Sequence, residues 1–308
     1  MAKIECISLA TMQQAAPPTE SIVCLGNFDG VHLAHRKLLR LAKEIQGKKF
    51  LTASTAVFCF YSPSFDYIPG RSIGHLSTLS QKLEYFRQEG IEYAFLTDFP
   101  SVQTLSPADF TALIKTECRC AAVLCGFNYH FGFHGAGSAQ DLSPLMGCPA
   151  FVQEEVCFDG KTVSSTEIRR LLTEGQVEAA NELLLRPFSF TASVVHGKSL
   201  GRHLGAPTIN QNLPEKMLIP RHGVYVTECE IDGKHFRGVS NIGRHPTVDG
   251  DLGVNCETHL LDFDGDLYGK EITVSFLKFI RDEKKFESQE ALQLQIAHDI
   301  LQARAFIK

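Results

Sequence analysis

The sequence predicts a protein of two domains, a three-layer α/β domain with a parallel sheet followed by an antiparallel β domain. The chain has 308 residues, which is enough for two domains of roughly 150 residues each. Up to about residue 184, short apolar runs alternate with helix-like segments, as in parallel sheets with right-handed crossovers. From Arg186-Pro187 to Phe279, short runs are separated by Gly, Asp and Pro turns, which is typical of an antiparallel sandwich or barrel. We therefore expect the domains to span residues 1–185 and 186–308.

The composition is that of an ordinary soluble globular protein, with 44% apolar and 21% charged residues. The net charge of -5 argues against a non-specific nucleic-acid-binding protein, which normally carries a basic face. No apolar stretch approaches the ~18 residues of a membrane span, and the N-terminus lacks the apolar core of a signal peptide. We expect a cytoplasmic protein with neither a nucleic-acid nor a membrane partner. The sequence leaves open a homo-oligomer.

The ten cysteines are scattered along the chain without any Cys-x-x-Cys pair. Most of them lie in apolar, strand-like runs, where cysteine packs as a small hydrophobic residue. In a cytosolic chain of this length, we expect buried free thiols rather than disulfides or a metal site.

The elements of the N-terminal half follow one another in a regular order. We predict strands over residues 22–25, 50–60, 91–96 and 121–125, and helices starting at residue 33 and over 81–87 and 108–115. Ser77 or Ser80 is the expected N-cap of the second helix, which ends at Gly90. Ser106-Pro107 supplies a cap and an N1 proline for the third. Such a β/α alternation places the loops after the strands at one edge of the sheet, where ligands bind.

Two short helices and a turn-rich β region complete the chain. We predict helices over residues 164–172 and 177–184, strands over 192–195, 223–226 and 272–276, and a terminal helix over 289–303. No internal repeat or low-complexity segment interrupts this order.

One stretch near the N-terminus combines a strand, a glycine turn and the start of a helix. The turn contains Gly26, Asn27, Phe28, Asp29 and Gly30, and it is followed by His32 and His35. Backbone N–H groups and the helix dipole face outward at such a junction, which favours an anion there. The two histidines share one helix face, so both can point at the same anion. The alternative interpretation is an ordinary strand-to-helix loop with solvated histidines.

The spacing Gly-x-Phe-Asp-Gly-Val-His-x-x-His resembles the H-x-G-H motif of the nucleotidylyltransferase superfamily. Ser164-Ser165-Thr166 and Arg169 resemble the S-S-T-x-I-R motif of the same superfamily, although helix capping alone could explain Ser164 with Glu167. Residues 126–132 resemble the flavin-side loop of bacterial FAD synthetases. These resemblances imply a Rossmann-like domain that transfers a nucleotidyl group.

The β half resembles riboflavin kinases. Residues 201–210 resemble the G-R-x-L-G-x-P-T-x-N motif, and the segments at 241–247, 257–263 and 266–269 follow in the order of that family. With both halves taken together, the chain is identified as a member of the bacterial FAD synthetase family. The resemblance implies an antiparallel β-barrel kinase domain with a terminal helix, and riboflavin, FMN, FAD and ATP as substrates and products.

The kinase resemblance implies roles for individual residues. Glu257 matches the general base that a weakly nucleophilic hydroxyl requires. Thr208 and Asn210 match the residues around Mg²⁺ and the ATP phosphates, for which oxygen ligands are suitable. The ATP-binding set is completed by Gly197, Gly201, Gly205 and Pro207. Without the resemblance, Glu257 reads as a solvent-facing carboxylate on a strand.

The nucleotidylyltransferase resemblance implies a reaction that depends on positioning, since the nucleophile is the phosphate of FMN and is already anionic. His32, His35 and Arg169 would act on the phosphates, with Mg²⁺ bridging the triphosphate. The phosphate-binding set would be Gly26, Asn27, Phe28, Asp29, Gly30, Ser164, Ser165 and Thr166. The candidates for the flavin side are Phe60, Asn128 and Phe131, of which the phenylalanines could equally belong to the core.

Three residues depart from the family pattern in this half. Ala34 replaces the glycine of H-x-G-H, Ser62 lies in a loop where the family has a histidine, and His134 stands where an arginine is common. They leave open an alternative, a riboflavin kinase with a degenerate N-terminal domain. A third hypothesis, a flavin-sensing or nucleic-acid-binding regulator, is disfavoured by the acidic balance and by the intact Glu257.

Overall fold

The structure is a computed structural model that describes residues 5–8, 19–68, 73–196, 208–246 and 252–306. It forms two compact units, of which the first comprises Met1–Ile73 with Ser77–Ser165 and the second Gly74–Leu76 with Thr166–Lys308.

The first unit is built on parallel strands. Its strands are β1 (Glu5–Ser8), β2 (Ser21–Leu25), β3 (Ser54–Phe60), β4 (Tyr93–Thr97), β5 (Cys120–Gly126), β6 (His130–Phe131), β7 (Gly137–Ser138), β8 (Ala150–Gln153), β9 (Cys157–Phe158) and β10 (Lys161–Thr162). Its helices are α1 (Leu33–Lys49), α2 (Leu79–Gln88), α3 (Pro107–Glu117) and α4 (Leu142–Met146). Six strands form one sheet in the order β1-β4-β3-β2-β5-β8, with every neighbouring pair parallel. The predicted parallel α/β domain is confirmed.

Apolar cores cover both faces of this sheet. Along β2, Ile22 and Cys24 pack into a core that contains the buried residues of α1 and α2. The alternate residues Val23 and Leu25 face a second core with α3 and α4. Strands buried on both faces are expected to read as continuous apolar runs, as β2 does.

The start of α2 differs from the prediction. Thr78, rather than Ser77 or Ser80, is the N-cap, since its hydroxyl accepts a hydrogen bond from the Gln81 N–H at 3.3 Å. The Gln81 side chain accepts from the Thr78 N–H at 3.0 Å, which completes a capping box. Ser77 lies one residue too early and instead accepts a hydrogen bond from the Gly30 N–H at 3.1 Å. The Ser106 cap of α3 is confirmed.

The second unit is an antiparallel barrel with helices. Its strands are β11 (Phe188–Ser193), β12 (Thr208–Asn212), β13 (Gly223–Ile231), β14 (Lys234–Pro246), β15 (Leu252–Leu260) and β16 (Glu271–Arg281). The helices are α5 (Ser165–Thr173), α6 (Val177–Leu184) and α7 (Gln289–Ala305), of which α5 begins at the last residue of the first unit. The strand order is β11-β16-β13-β14-β15-β12, and a bridge between Val195 and Asn210 joins the two ends. This closure confirms the predicted antiparallel barrel with a terminal helix.

Hydroxyl groups inside the barrel form a chain of hydrogen bonds. The Ser240 hydroxyl lies 2.7 Å from that of Thr227 and 2.7 Å from that of Thr258, and all three side chains are fully buried. Because side chains alternate along a strand, the residues next to these three in sequence lie on the outer face of the barrel. Glu257 and Asn241 are therefore on the outer face.

The cysteines agree with the prediction of buried free thiols. All ten cysteines are free, and seven of them are buried. Among the residues that the structure describes, no helix has the length and apolarity needed to cross a membrane.

Candidate functional sites

The predicted anion-binding turn lies at the carboxyl edge of the parallel sheet. It follows β2 directly, and the loop at residues 126–135 follows the neighbouring strand β5. Ligands of open parallel sheets bind beyond this edge. We call residues 26–30 the phosphate loop.

The backbone of the phosphate loop is held in an unusual conformation. Phe28 has φ 50° and Gly30 has φ 78°, and both values lie in the left-handed region. The Phe28 ring is fully buried, with its centroid 5.1 Å from the His35 ring and 5.3 Å from the Phe86 ring of α2. This packing fixes a backbone conformation that a bulky residue adopts only at a cost in free energy.

Side chains from three other segments tie down the same loop. The Asn27 amide donates to the Ser64 hydroxyl at 3.0 Å, and the Ser165 hydroxyl donates to the Asp29 carbonyl at 2.9 Å. The Lys82 ammonium donates to the Asn27 carbonyl at 2.9 Å. The Asn27 side chain is thus committed to Ser64, so a phosphate contact by this residue would come from its backbone.

The two predicted histidines lie together at the N-terminus of α1. Their rings stack with centroids 3.7 Å apart and planes inclined by 17°. His32 is the N-cap residue and is only 4% exposed, while His35 lies in the first turn. The helix dipole therefore places positive potential where both rings are presented.

The Ser-Ser-Thr segment and its arginine lie at the start of α5. Ser165, the first residue of this helix, reaches the Asp29 carbonyl, whereas Thr166 is exposed. The Arg169 Nε donates to the Gly74 carbonyl at 2.8 Å within the second unit. Ser164 is half-buried directly ahead of the helix.

The predicted flavin residues occupy different environments. Asn128 is exposed in the loop after β5, and Phe60 is half-buried at the end of β3. Phe131 is only 4% exposed and packs against Phe110 and Tyr129, at 5.4 and 6.0 Å between ring centroids. Core packing therefore accounts for the position of Phe131, and its flavin contact stays a prediction.

Two aromatic residues beside Phe60 were not predicted from the sequence. The Phe99 ring lies 5.3 Å from that of Phe60 and stacks on that of Tyr67 at 5.7 Å. Both lie in short 3₁₀ turns that follow β3 and β4 at the carboxyl edge of the sheet. The sequence signal that could have predicted Phe99 is an aromatic residue placed directly after a strand of a parallel sheet.

The residues that depart from the family pattern have ordinary surroundings. Ala34 lies in the first turn of α1, where its carbonyl accepts a hydrogen bond from the Gln153 amide at 3.0 Å. His134 is exposed with φ 54°, and its ring lies 4.0 Å from that of Phe133. Ser62 lies in the loop after β3 and is half-buried.

The predicted kinase residues lie on neighbouring strands of the barrel. Asn210 of β12 is directly opposite Glu257 of β15, which in turn is opposite Asn241 of β14. Thr208 is opposite His259 in the same ladder. Residues directly opposite in an antiparallel pair share one face, so the row is continuous across three strands. The predicted ATP-binding residues Gly197, Gly201, Gly205 and Pro207 lie outside the described residues.

Asn210 is held by a second asparagine that sequence reasoning missed. The Asn255 Nδ2 donates to the Asn210 Oδ1 at 3.1 Å, and Asn210 is only 6% exposed. The Asn255 Oδ1 is buried and has no hydrogen-bond partner among the described residues. The pairing depends on the register between β12 and β15, which the sequence does not specify.

Two family models match this chain. The riboflavin kinase model matches residues 184–307, and the FAD synthetase model matches residues 14–167.

Two relatives and one solved structure match the chain over nearly its whole length. The bifunctional riboflavin kinase/FMN adenylyltransferase of Listeria monocytogenes is 32% identical, covering 92% of each chain. The protein of the same name from Pseudomonas fluorescens is 35% identical, again covering 92% of each. A crystal structure described as a macrolide-efflux protein from Streptococcus pneumoniae has a TM-score of 0.90 at 30% identity, covering 98% of this chain and 99% of that one.

Proposed function

The chain belongs to the bifunctional riboflavin kinase/FMN adenylyltransferase family, and from that premise we propose that it carries two separate active sites, one for each reaction. The protein phosphorylates riboflavin to FMN with ATP, and it adenylylates FMN to FAD with release of pyrophosphate. Because both family models match, this function holds over the alternative of a riboflavin kinase with a degenerate N-terminal domain.

We propose Glu257 as the general base of the kinase reaction. The 5'-hydroxyl of riboflavin is a poor nucleophile near neutral pH, so a carboxylate that accepts its proton accelerates the attack. Glu257 is half-buried and lies opposite Asn210 and Asn241 on the outer face of the barrel. This position supports the proposal, since the same row carries the residues expected around the ATP phosphates.

Two residues on one face of β12 fit a magnesium ion. Thr208 and Asn210 offer a hydroxyl and an amide oxygen, which are hard donors of the type that Mg²⁺ accepts together with substrate phosphates. The buried Asn255 Oδ1 beside them has no hydrogen-bond partner among the described residues, which supports a ligand site at this position. When bound, the ion neutralises charge on the ATP phosphates. We propose that Thr208 and Asn210 hold the ion. The hydrogen bond from Asn255 to Asn210 keeps the Asn210 side chain oriented.

We propose that the phosphate loop and the two histidines form the adenylyltransferase site. The FMN phosphate is already an anion, so catalysis depends on positioning and on stabilising charge at the α-phosphate and the leaving pyrophosphate. His32 and His35 contact these phosphates, and Ser164, Ser165, Thr166 and Arg169 hold the triphosphate. The stacked rings at the N-terminus of α1 are the single observation that supports this site most strongly.

We propose that the flavin of FMN binds near Phe60, Asn128 and Phe131. The chain has no tryptophan, so stacking on the flavin rings must come from phenylalanine or tyrosine. Phe99 and Tyr67 extend the aromatic surface beside Phe60.

The histidine site is tested by replacing His35 with alanine in the full chain. FAD formation from FMN and MgATP should fall by at least about 100-fold, because a group that stabilises transition-state charge is removed. FMN formation from riboflavin by the same variant should be unchanged and serves as the internal control. Unchanged FAD formation would contradict the proposed site.

Three further proposals concern organisation. We place the functional boundary near residue 186, supported by a riboflavin kinase match that begins at residue 184. We propose a cytoplasmic location, supported by ten free cysteines.

The proposed partners are riboflavin, FMN and ATP, with neither nucleic acid nor membrane. Size-exclusion chromatography of the full chain tests for a homo-oligomer.

A further inference from the structure

Lys82 is a lysine on α2 whose side chain is almost completely buried, with 2% exposure. Lysine is almost never fully buried unless its charge is paired. In the described part of the chain, its ammonium donates to the Asn27 carbonyl at 2.9 Å, and no carboxylate pairs with it. A buried cation thus lies directly against the phosphate loop.

The contact with Asn27 acts on a peptide group of the loop. The Asn27 carbonyl and the Phe28 N–H belong to one planar peptide unit, and no described peptide bond is cis. In a trans peptide the carbonyl and the N–H point in opposite directions. A cation at the oxygen therefore polarises the group and makes the N–H on the other side a stronger donor.

We propose that Lys82 is a positioning residue for adenylyl transfer, which orients and polarises the Asn27–Phe28 peptide so that its N–H binds a phosphate oxygen of ATP or pyrophosphate. The inference rests on the proposed role of the phosphate loop. Lys82 lies outside the nucleotidylyltransferase motif and more than 50 positions away in sequence from Asn27, so the motif alone does not point to it.

The charge of Lys82 favours a role in phosphate binding over a hydrogen bond that only stabilises the loop. A neutral donor would hold the Asn27 carbonyl equally well, and burying an ammonium group carries a desolvation penalty. A bound phosphate anion on the far side of the same peptide offsets that penalty, because a low-dielectric interior strengthens the attraction between opposite charges. Loss of the charge should therefore weaken the binding of phosphate groups specifically.

The test uses pyrophosphorolysis of FAD, in which FAD and pyrophosphate give FMN and ATP. Pyrophosphate is the probe, because this reaction occurs only at the adenylyltransferase site. Lys82→Met removes the charge and keeps an unbranched side chain of similar length. Lys115→Met is the matched control, since Lys115 also donates to a backbone carbonyl in the first unit, that of Met146 at 2.6 Å, but is exposed.

Lys82→Met should raise the KM for pyrophosphate by about tenfold or more, as expected for weakening one preorganised donor. The KM for FMN in the forward reaction and riboflavin kinase activity should change by less than about twofold. An unchanged KM for pyrophosphate, equal rises for pyrophosphate and FMN, or the same rise in Lys115→Met would overturn the proposal.

Two further variants keep the result interpretable. If Lys82→Met does not fold, Lys82→Arg retains the charge and the donors, and its KM for pyrophosphate should stay within about threefold of the parent value. A tenfold rise in Lys82→Arg would overturn the proposal. His35→Ala is measured alongside, because unchanged adenylyl transfer in that variant would refute the proposed histidine site independently of Lys82.

Discussion

Gly132 should be required for the loop that is proposed to hold FMN. Its backbone has φ 74° and ψ 179°, a region that is essentially restricted to glycine. A Cβ atom at this position would lie 2.8 Å from the Pro107 nitrogen and 3.0 Å from its Cα. Pro107 is the first residue of α3 and is held by the Ser106 cap, so the backbone that meets the Cβ cannot easily move.

Two costs add up in Gly132→Ala. The backbone conformation costs about 1–3 kcal/mol for a residue with a side chain, and overpacking against a fixed neighbour costs about 1–3 kcal/mol more. We therefore expect the free energy of unfolding to fall by about 2–6 kcal/mol. Gly160→Ala is the matched control, because Gly160 has φ 73° and no atom within 4 Å of the added Cβ.

Urea unfolding followed by circular dichroism measures the stability of both variants, and Gly160→Ala is the reference for a side chain added at positive φ without an overlap. In Gly132→Ala the KM for FMN in adenylyl transfer should rise, because relief of the overlap displaces the loop that carries Asn128. Riboflavin phosphorylation should be unaffected. If Gly132→Ala is no less stable than Gly160→Ala and keeps its KM for FMN, the reasoning from this contact is wrong.

Two other predictions concern a thiol and the magnesium site. A hydrogen bond from Cys120 lowers the pKa of Cys148 to about 7, so its alkylation by iodoacetamide should slow as the pH falls through 7. Cys120→Ala removes the donor and should move that transition to higher pH. A transition near the usual thiol pKa in the parent protein would contradict this. Asn255→Ala should raise the Mg²⁺ concentration for half-maximal kinase activity by about 2–10-fold, since one neutral hydrogen bond to Asn210 is lost. Asn212 is an exposed residue of β12, the strand that carries Asn210, and an equal effect of Asn212→Ala would argue against this prediction.

The order of strands and helices was predictable because hydrophobic periodicity and capping are local properties of the sequence. The predicted helix over residues 177–184 and the start of α1 at Leu33 agree with the structure. The predicted N-cap of α2 was wrong, because Ser77, Thr78 and Ser80 all suit an N-cap and the choice among them depends on tertiary contacts. Ser77 is instead used by Gly30, which is 47 residues earlier in the chain.

The proposed site residues that the sequence did not predict are defined by long-range contacts. Lys82 reads as a surface residue of an amphipathic helix until its contact with Asn27 is known. Asn255 gains its position from strand register, and Phe99 from the side-by-side arrangement of parallel strands. Motif spacing singled out the two histidines and Glu257 as candidates, since each motif is continuous in sequence.

The proposal of two separate sites is tested most directly by replacing Glu257 with glutamine in the full chain. FMN formation from riboflavin should fall by at least about 100-fold because the general base is lost, whereas FAD formation from supplied FMN should remain within about twofold of the parent rate. Glu271→Gln, on an exposed glutamate at the start of β16, is the control and should change neither activity. A folded Glu257→Gln protein that loses both activities together, or one that still forms FMN at the parent rate, would contradict the account.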